Sequence, residues 1–343
     1  MADMSKTSTE RVRHALNGAT MGTRWSALFF TEPRFDPTPL QTALQDAMDE
    51  VDGQMSTWNP NSDLMRLNRS PIGEPVEIPA RLAHVLTNGL KIGRASAGAF
   101  DIGMGDAVQA WGFGPDAADM DGIQAALKRS RQPAYELIEI EGNLVRKREP
   151  IAIDLNGIAK GYGVDRLAET LIKHEIHSGL VGIDGEMRAM GLRPDGEPWS
   201  IAIESPETDH RNPHSIVSLQ DAAVATSGDY RHWVTVQGRR LSHTMDPKRG
   251  TPLATSPASV TVIAPTCTEA DAWATAFMVL GPTAETALLA NKGLHVLFLI
   301  RDKTENIHAK GFGGGSDLGM KYIRCDLMPK ASWVAPLWSE TQP

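Results

Sequence analysis

After Gly18, Trp25, Ala27 and Phe29 share one parity while Arg24, Ser26 and Leu28 share the other, so the chain reads as a strand that Pro33 ends. Leu28 spoils the alternation. From Leu40 the period changes: Leu40, Ala43, Leu44, Ala47 and Val51 recur at helical spacing and predict an amphipathic helix over 40–51. Met55 to Asp63 is a loop by composition, with Asn59-Pro60 as its breaker. Residues 80–95 read as helix again, and 97–113 are rich in glycine. Ile151 to Leu155 predicts a short buried strand, Asn156-Gly157 a tight turn, and Val164, Leu167, Ala168 and Leu171 one face of a helix. Val217 to Val224, Trp233 to Val236 and Ser259 to Ala264 have strand character. A last helix, from about Thr268 to Leu280, stops at Gly281-Pro282.

No repeat, low-complexity tract or linker divides these elements. The expected fold class is therefore α+β: one large domain of mixed and antiparallel sheets packed with helices, over residues 19–325, with polar tails at 1–18 and 326–343. A chain of 343 residues buries a core without disulfides or a metal, and Cys267 and Cys325 have no paired spacing that suggests either. The net charge of −8 offers no broad basic surface, which removes nucleic acid as an expected partner; any polyanion must be held locally, by a cation or by backbone N–H groups. Val296 to Ile300 is far short of the roughly 20 residues of a membrane span, so none is expected. Met1 to Asn17 is polar, without a secretory core or a lipid-anchor cysteine. The expected compartment is the cytoplasm, or the periplasm if an export segment has been removed.

The glycines do not form a nucleotide motif. Gly103-Met104-Gly105 is followed by Val108 where a dinucleotide fingerprint needs Gly or Ala, and Lys160-Gly161 reverses the order of a P-loop. Lys160 still sits just after a turn with free backbone N–H groups, where it can meet a phosphate, or simply face solvent at a helix start. Asp271 and Thr275, four apart, share one helix side and offer two hard oxygen ligands suited to Mg²⁺; alternatively Asp271 complements the helix dipole and Thr275 bonds back to its own helix. His243 lies three residues before Asp246-Pro247, beside Lys248 and Arg249, where it can orient a phosphate or move a proton. Trp58, in a polar loop, is the aromatic best placed to stack on a flat ring.

Taken in order, the segments say more than their parts. They are Met21-Gly22-Thr23, Met55-Ser56-Thr57-Trp58 with Ser62 and Asn68, Ala99-Phe100-Asp101 leading to Trp111-Gly112-Phe113, Asp154 to Gly161, Ala225 to Tyr230, His243-Thr244-Met245-Asp246-Pro247 with Gly250, and Ala270-Asp271-Ala272 with Ala274-Thr275. Together they resemble the ApbE family of FAD:protein FMN transferases over roughly residues 19 to 300.

The resemblance implies a Mg²⁺-dependent transferase. It splits FAD, releases AMP and leaves FMN in phosphoester linkage on a Thr or Ser of a target flavoprotein. By matching position, Gly157 (through its carbonyl), Asp271 and Thr275 are the expected Mg²⁺ ligands. Met21, Trp58, Ala99, Phe100, Asp101, Asp154, Lys160 and Met245 line the FAD site. His243 supports transfer, and either Asp271 or His243 takes the proton of the attacking hydroxyl. Two other readings use the same residues: an FAD pyrophosphatase in which water replaces the protein hydroxyl, and a non-catalytic flavin-binding protein. One departure stands out. Family members commonly carry paired glycines after the strand near residue 183, whereas Asp184 precedes Gly185 here.

Overall fold

The computed structural model describes residues 11–207, 212–230, 233–236, 239–253, 257–283, 293–302, 304–313 and 323–324. Its first half runs β1 (Val12–Thr20), β2 (Thr23–Thr31), α1 (Thr38–Met55), α2 (Asp63–Arg69), β3 (Pro75–Glu77), α3 (Ala80–Ala95), α4 (Gly105–Ala110), α5 (Met120–Lys128), α6 (Ala134–Leu137), β4 (Ile138–Glu141), β5 (Leu144–Lys147) and α7 (Ala159–Lys173). There follow β6 (Gly179–Ile183), β7 (Glu186–Met190), β8 (Trp199–Glu204), β9 (Pro213–Leu219), β10 (Ala222–Gly228), β11 (Trp233–Val236), β12 (Arg239–Ser242), β13 (Met245–Asp246), β14 (Thr251–Pro252), β15 (Ser259–Ala264), α8 (Cys267–Leu280), β16 (His295–Arg301), β17 (Ile307–Gly313) and β18 (Ile323–Arg324).

Eight strands make one antiparallel sheet in the order β1-β2-β6-β7-β10-β15-β16-β17. One face carries the main core, where Trp25, Ala27, Phe29 and Val181 meet Leu44 and Met48 of α1, Leu86 of α3, Leu167 of α7 and Phe277 of α8. The other face carries a second core, in which Leu28, Leu180 and Val224 pack under Trp199, Ile201 and Val217 of β8 and β9. This is one α+β domain, as expected. It also explains the broken alternation in β2: the strand is covered on both faces, so Leu28 is as buried as its neighbours.

The four expected helices are present: α3 keeps the expected bounds and α1 extends beyond 40–51 to Thr38–Met55, whereas the short helices α2, α4, α5 and α6 were not expected. Helix α8 has ten buried residues in fourteen, so it threads the core rather than lying on it. Its start is fixed by side chains: the Thr266 hydroxyl accepts the Glu269 N–H, and Asp165 of α7 accepts the N–H groups of Cys267 and Thr268 at 2.9 Å. The start of α8 is thereby tied to the middle of α7.

Three expectations are corrected. The polar tail does not reach residue 18, because Val12–Thr20 is a full edge strand paired with β2; its inward face places only Leu16 among His14, Gly18 and Thr20, too sparse an apolar pattern to reveal it. Val217 to Val224 is two strands, broken at Asp221, which takes φ +49°. Ile151–Leu155 is extended but belongs to no sheet. Its backbone is satisfied by Ile102, which accepts the Asp154 N–H, and by the side-chain amide of Asn68, which bonds the Ile153 N–H at 2.7 Å and the Ile153 carbonyl at 2.9 Å. A side-chain amide 85 residues earlier in the chain does the work of a neighbouring strand, and no apolar pattern reports that. The expected C-terminal tail, 326–343, lies outside the described residues.

Candidate active site

A single cavity of about 1230 Å³ collects all twelve residues named from the sequence. Met21 reaches it from the β1–β2 turn, at φ +45°. Trp58 enters from the loop after α1, which Ser56 and Ser62 fold: the Ser56 hydroxyl accepts the Trp58 and Asn59 N–H groups, while the Ser62 hydroxyl donates to the Ser56 carbonyl and caps α2. The indole stays 61% exposed at the rim. Ala99, Phe100 and Asp101 follow α3, with the Asp101 carboxylate accepting the Gly103 and Ala134 N–H groups, so its first task is to shape this loop. Burial raises the Asp101 carboxyl against those two bonds. His243 comes from the segment that leads into β13, and Met245 is the first residue of that strand.

The opposite wall is built by α7, α8 and the turn before α7. The Asp154 carboxylate accepts the Asn156 N–H at 2.9 Å and so closes that turn. Burial pushes Asp154 up to about 6, with the Asn156 bond pulling the other way. Gly157 then passes so close to α8 that a Cβ there would lie 3.0 Å from the Thr275 hydroxyl and 3.2 Å from the Phe100 ring. A side chain here would push on both neighbours, so glycine suits this close approach of the backbone to Thr275. Asp271, one turn earlier on α8, accepts the Gly161 N–H at 2.9 Å. That N–H belongs to the first turn of α7 and has no partner within its own helix. Burial pushes Asp271 up to about 7, reinforced by Glu186 and opposed by Lys160 and the Gly161 N–H.

Lys160 lies between these acids, 2.8 Å from Glu186 and 3.8 Å from Asp184. Burial works against its charge, but Glu186, Asp271 and Asp184 outweigh burial and hold the ammonium above its ordinary range. It remains a cation whatever the pH of a cell. Glu186 was missed by motif reading. The available signal was parity, since Glu186 and Arg188 alternate onto the β7 face that meets α7, where Arg188 pairs with Asp165. Asp184 occupies the β6–β7 turn at φ +53°, a conformation that glycine adopts without strain.

Past that turn the cavity continues onto the other face of the large sheet. Ser26, Leu28, Leu180 and Gly182 line it there, facing residues 200–204 of β8.

Among the described residues no three His, Cys, Asp or Glu side chains form a metal cluster. The donors that do converge are a carboxylate, a hydroxyl and, across from them, the backbone of Gly157. All are hard oxygens, a set that suits Mg²⁺ and leaves positions open for phosphate oxygens.

Comparison with known proteins agrees with this architecture. Closely superimposing solved structures include flavin transferases: ApbE from Vibrio cholerae matches with a TM-score of 0.77 at 33% identity, covering 88% of this chain and 98% of that one. The flavinyl transferase ApbE of Pseudomonas stutzeri, in its apo form, gives 0.76 at 32%, covering 88% and 95%. In sequence, the FAD:protein FMN transferase of Vibrio cholerae is 37% identical over 290 residues, 83% of this chain and 87% of the relative. That of Escherichia coli K12 is 33% identical over 296 residues, 84% of each. The ApbE family model matches residues 21–298, and the chain belongs to the ApbE family. No described helix is long and apolar enough to cross a membrane.

Proposed function

We propose that the protein is a Mg²⁺-dependent FAD:protein FMN transferase, which attaches FMN through a phosphoester to a Thr or Ser of a target flavoprotein and releases AMP. The observation that carries this reading is the wall where Asp271, Thr275, Gly157 and Lys160 meet beside a cavity large enough for a dinucleotide. Asp271, Thr275 and the Gly157 carbonyl would hold the cation. When bound, Mg²⁺ supplies positive charge to the non-bridging and leaving oxygens of the diphosphate. Lys160 adds a fixed positive charge from the protein itself, in a buried setting where it counts for more than in water. A cation held this way also explains how a chain of net charge −8 binds an anionic dinucleotide.

The cavity is larger than an ordinary small-ligand pocket. Pockets that hold one small ligand span about 300–1,000 Å³, and 1230 Å³ with an extension past the β6–β7 turn leaves room for a protein segment beside FAD. The deciding experiment is incubation with FAD, Mg²⁺ and a candidate flavoprotein, followed by intact mass. A gain equal to FMN supports transfer; free FMN with an unmodified protein supports the pyrophosphatase, and no turnover supports a binding protein.

Two variants test parts of this site. Trp58→Ala should weaken FAD binding by roughly 1–2 kcal/mol, a five- to thirty-fold rise in Kd by flavin fluorescence. It should leave the melting temperature in place, because the indole is mostly exposed. An unchanged Kd removes Trp58 from the flavin site. His243→Ala should slow FMN transfer by about 10²-fold or more while FAD affinity stays within about two-fold. Equal losses in both would make His243 a binding residue instead.

A further inference from the structure

Glu186 is 3% exposed, yet only one of its carboxylate oxygens is engaged. Oε1 receives the Lys160 ammonium at 2.8 Å, while Oε2 is buried without a hydrogen-bond partner. A buried acceptor left empty costs free energy, and a ligand that brings a donor removes that cost. The side chain lines the cavity, and its charge acts on both Lys160 and Asp271, so it sits among the groups assigned to the diphosphate and the cation. A diphosphate brings acceptors only. Among the reactants, the attacking hydroxyl is the one whose proton has to leave during the reaction, so it is the donor we set against this oxygen.

We propose that Glu186 is the proton acceptor for that hydroxyl. The inference rests on the transfer reading above and names a residue for a role that sequence reasoning left between Asp271 and His243. In the step, the hydroxyl oxygen bonds to the phosphorus of the FMN half, and the bond from that phosphorus to the bridging oxygen breaks. AMP leaves with the bridging oxygen, and the hydroxyl proton passes to Glu186 Oε2. Nothing is oxidised or reduced. A carboxylate suffices for this task in phosphoryl transfer, where positioning the nucleophile matters more than base strength. Lys160 fixes the side chain through Oε1 and leaves Oε2 for the reactant. Asp271 is less suited, since one oxygen already accepts the Gly161 N–H and the carboxylate is assigned to the cation.

The test compares full-length wild type, Glu186→Gln and Glu186→Asp, with FAD, Mg²⁺ and an acceptor protein that the mass assay has shown to gain FMN. Expected for the isosteric Gln variant are a fall in kcat of about 10²-fold or more and a KM for FAD within about two-fold of wild type. Asp, which keeps the charge one methylene short, should recover part of the rate. The inference is overturned if the Gln variant transfers at the wild-type rate. It is equally overturned if kcat holds while the KM for FAD rises, which would give Oε2 to a sugar hydroxyl of FAD, or if both variants lose FAD binding and melt early, which would make the residue structural. Failure of the transfer reading looks different: the wild type itself then releases AMP without modifying any protein.

Discussion

Asp271→Asn should cut Mg²⁺-dependent release of AMP from FAD by about 10³-fold while leaving the melting temperature unchanged or higher. The two halves of this result come from one feature. Burial and the neighbouring Glu186 push the Asp271 carboxyl up to about 7, so its charged form is held at a cost to the fold. Asparagine has the same shape, still accepts the Gly161 N–H and carries no charge to bury. The fold should tolerate it. The cation should not, because the carboxylate is the only charged oxygen in its donor set. A bound divalent ion stabilises phosphoryl charge by several kcal/mol, and about 4 kcal/mol of that corresponds to 10³ in rate. Asp271→Ala should lose AMP release as well, but it strands the Gly161 N–H and should also lower the melting temperature, which is why the Asn variant separates the effects. The measurement is AMP release against Mg²⁺ concentration, with thermal unfolding in parallel. Full AMP release by the Asn variant would move the cation away from this wall.

The sequence was most readable where one physical constraint acted alone. Helices α3 and α8 show a period or a stop signal that nothing else disturbs, and their predicted bounds agree with the structure within a residue or so. It was least readable where backbone groups find partners far away in sequence. Ile153 is satisfied by the side chain of Asn68, so an apolar run that reads as a strand is a tethered loop. The candidate site divides the same way. Spacing alone put Asp271 and Thr275 on one helix face, but what brings Gly157 and Gly161 against that face is the close approach of α7 to α8, which no local pattern encodes. Glu186 was harder still. Its meaning lies in one unpartnered oxygen and in its distance to Lys160, and both are properties of the assembled fold.

That close approach makes the second large effect. Gly161→Ala should destabilise the protein by about 2 kcal/mol or more and lower AMP release together with it. Alanine is the better helix former by about 1 kcal/mol, so an open site would gain from the change. Here a Cβ would fall 2.3 Å from the Cys267 carbonyl oxygen, 2.8 Å from its carbonyl carbon and 2.7 Å from the Asp271 Cβ. Two of these are backbone atoms at the start of α8, which Asp165 already clamps through the Cys267 and Thr268 N–H groups, so they cannot swing aside as a side-chain tip would. Forcing extra volume into such a contact costs typically 1–3 kcal/mol and displaces the elements concerned. The displacement matters more than the cost: α8 carries Asp271 and Thr275, and moving it from α7 opens the gap to Gly157 and lengthens the Gly161–Asp271 bond. Gly53→Ala is the matched control, since that glycine also lies in a helix, α1, but a Cβ there meets nothing within 4 Å. It should raise stability by about 0.5–1 kcal/mol and leave activity alone. The same chemical change should therefore have opposite signs at two helical glycines, read by denaturant unfolding and AMP release. A Gly161→Ala variant as stable and as active as the wild type would mean that the spacing of α7 and α8 does not hold the site together.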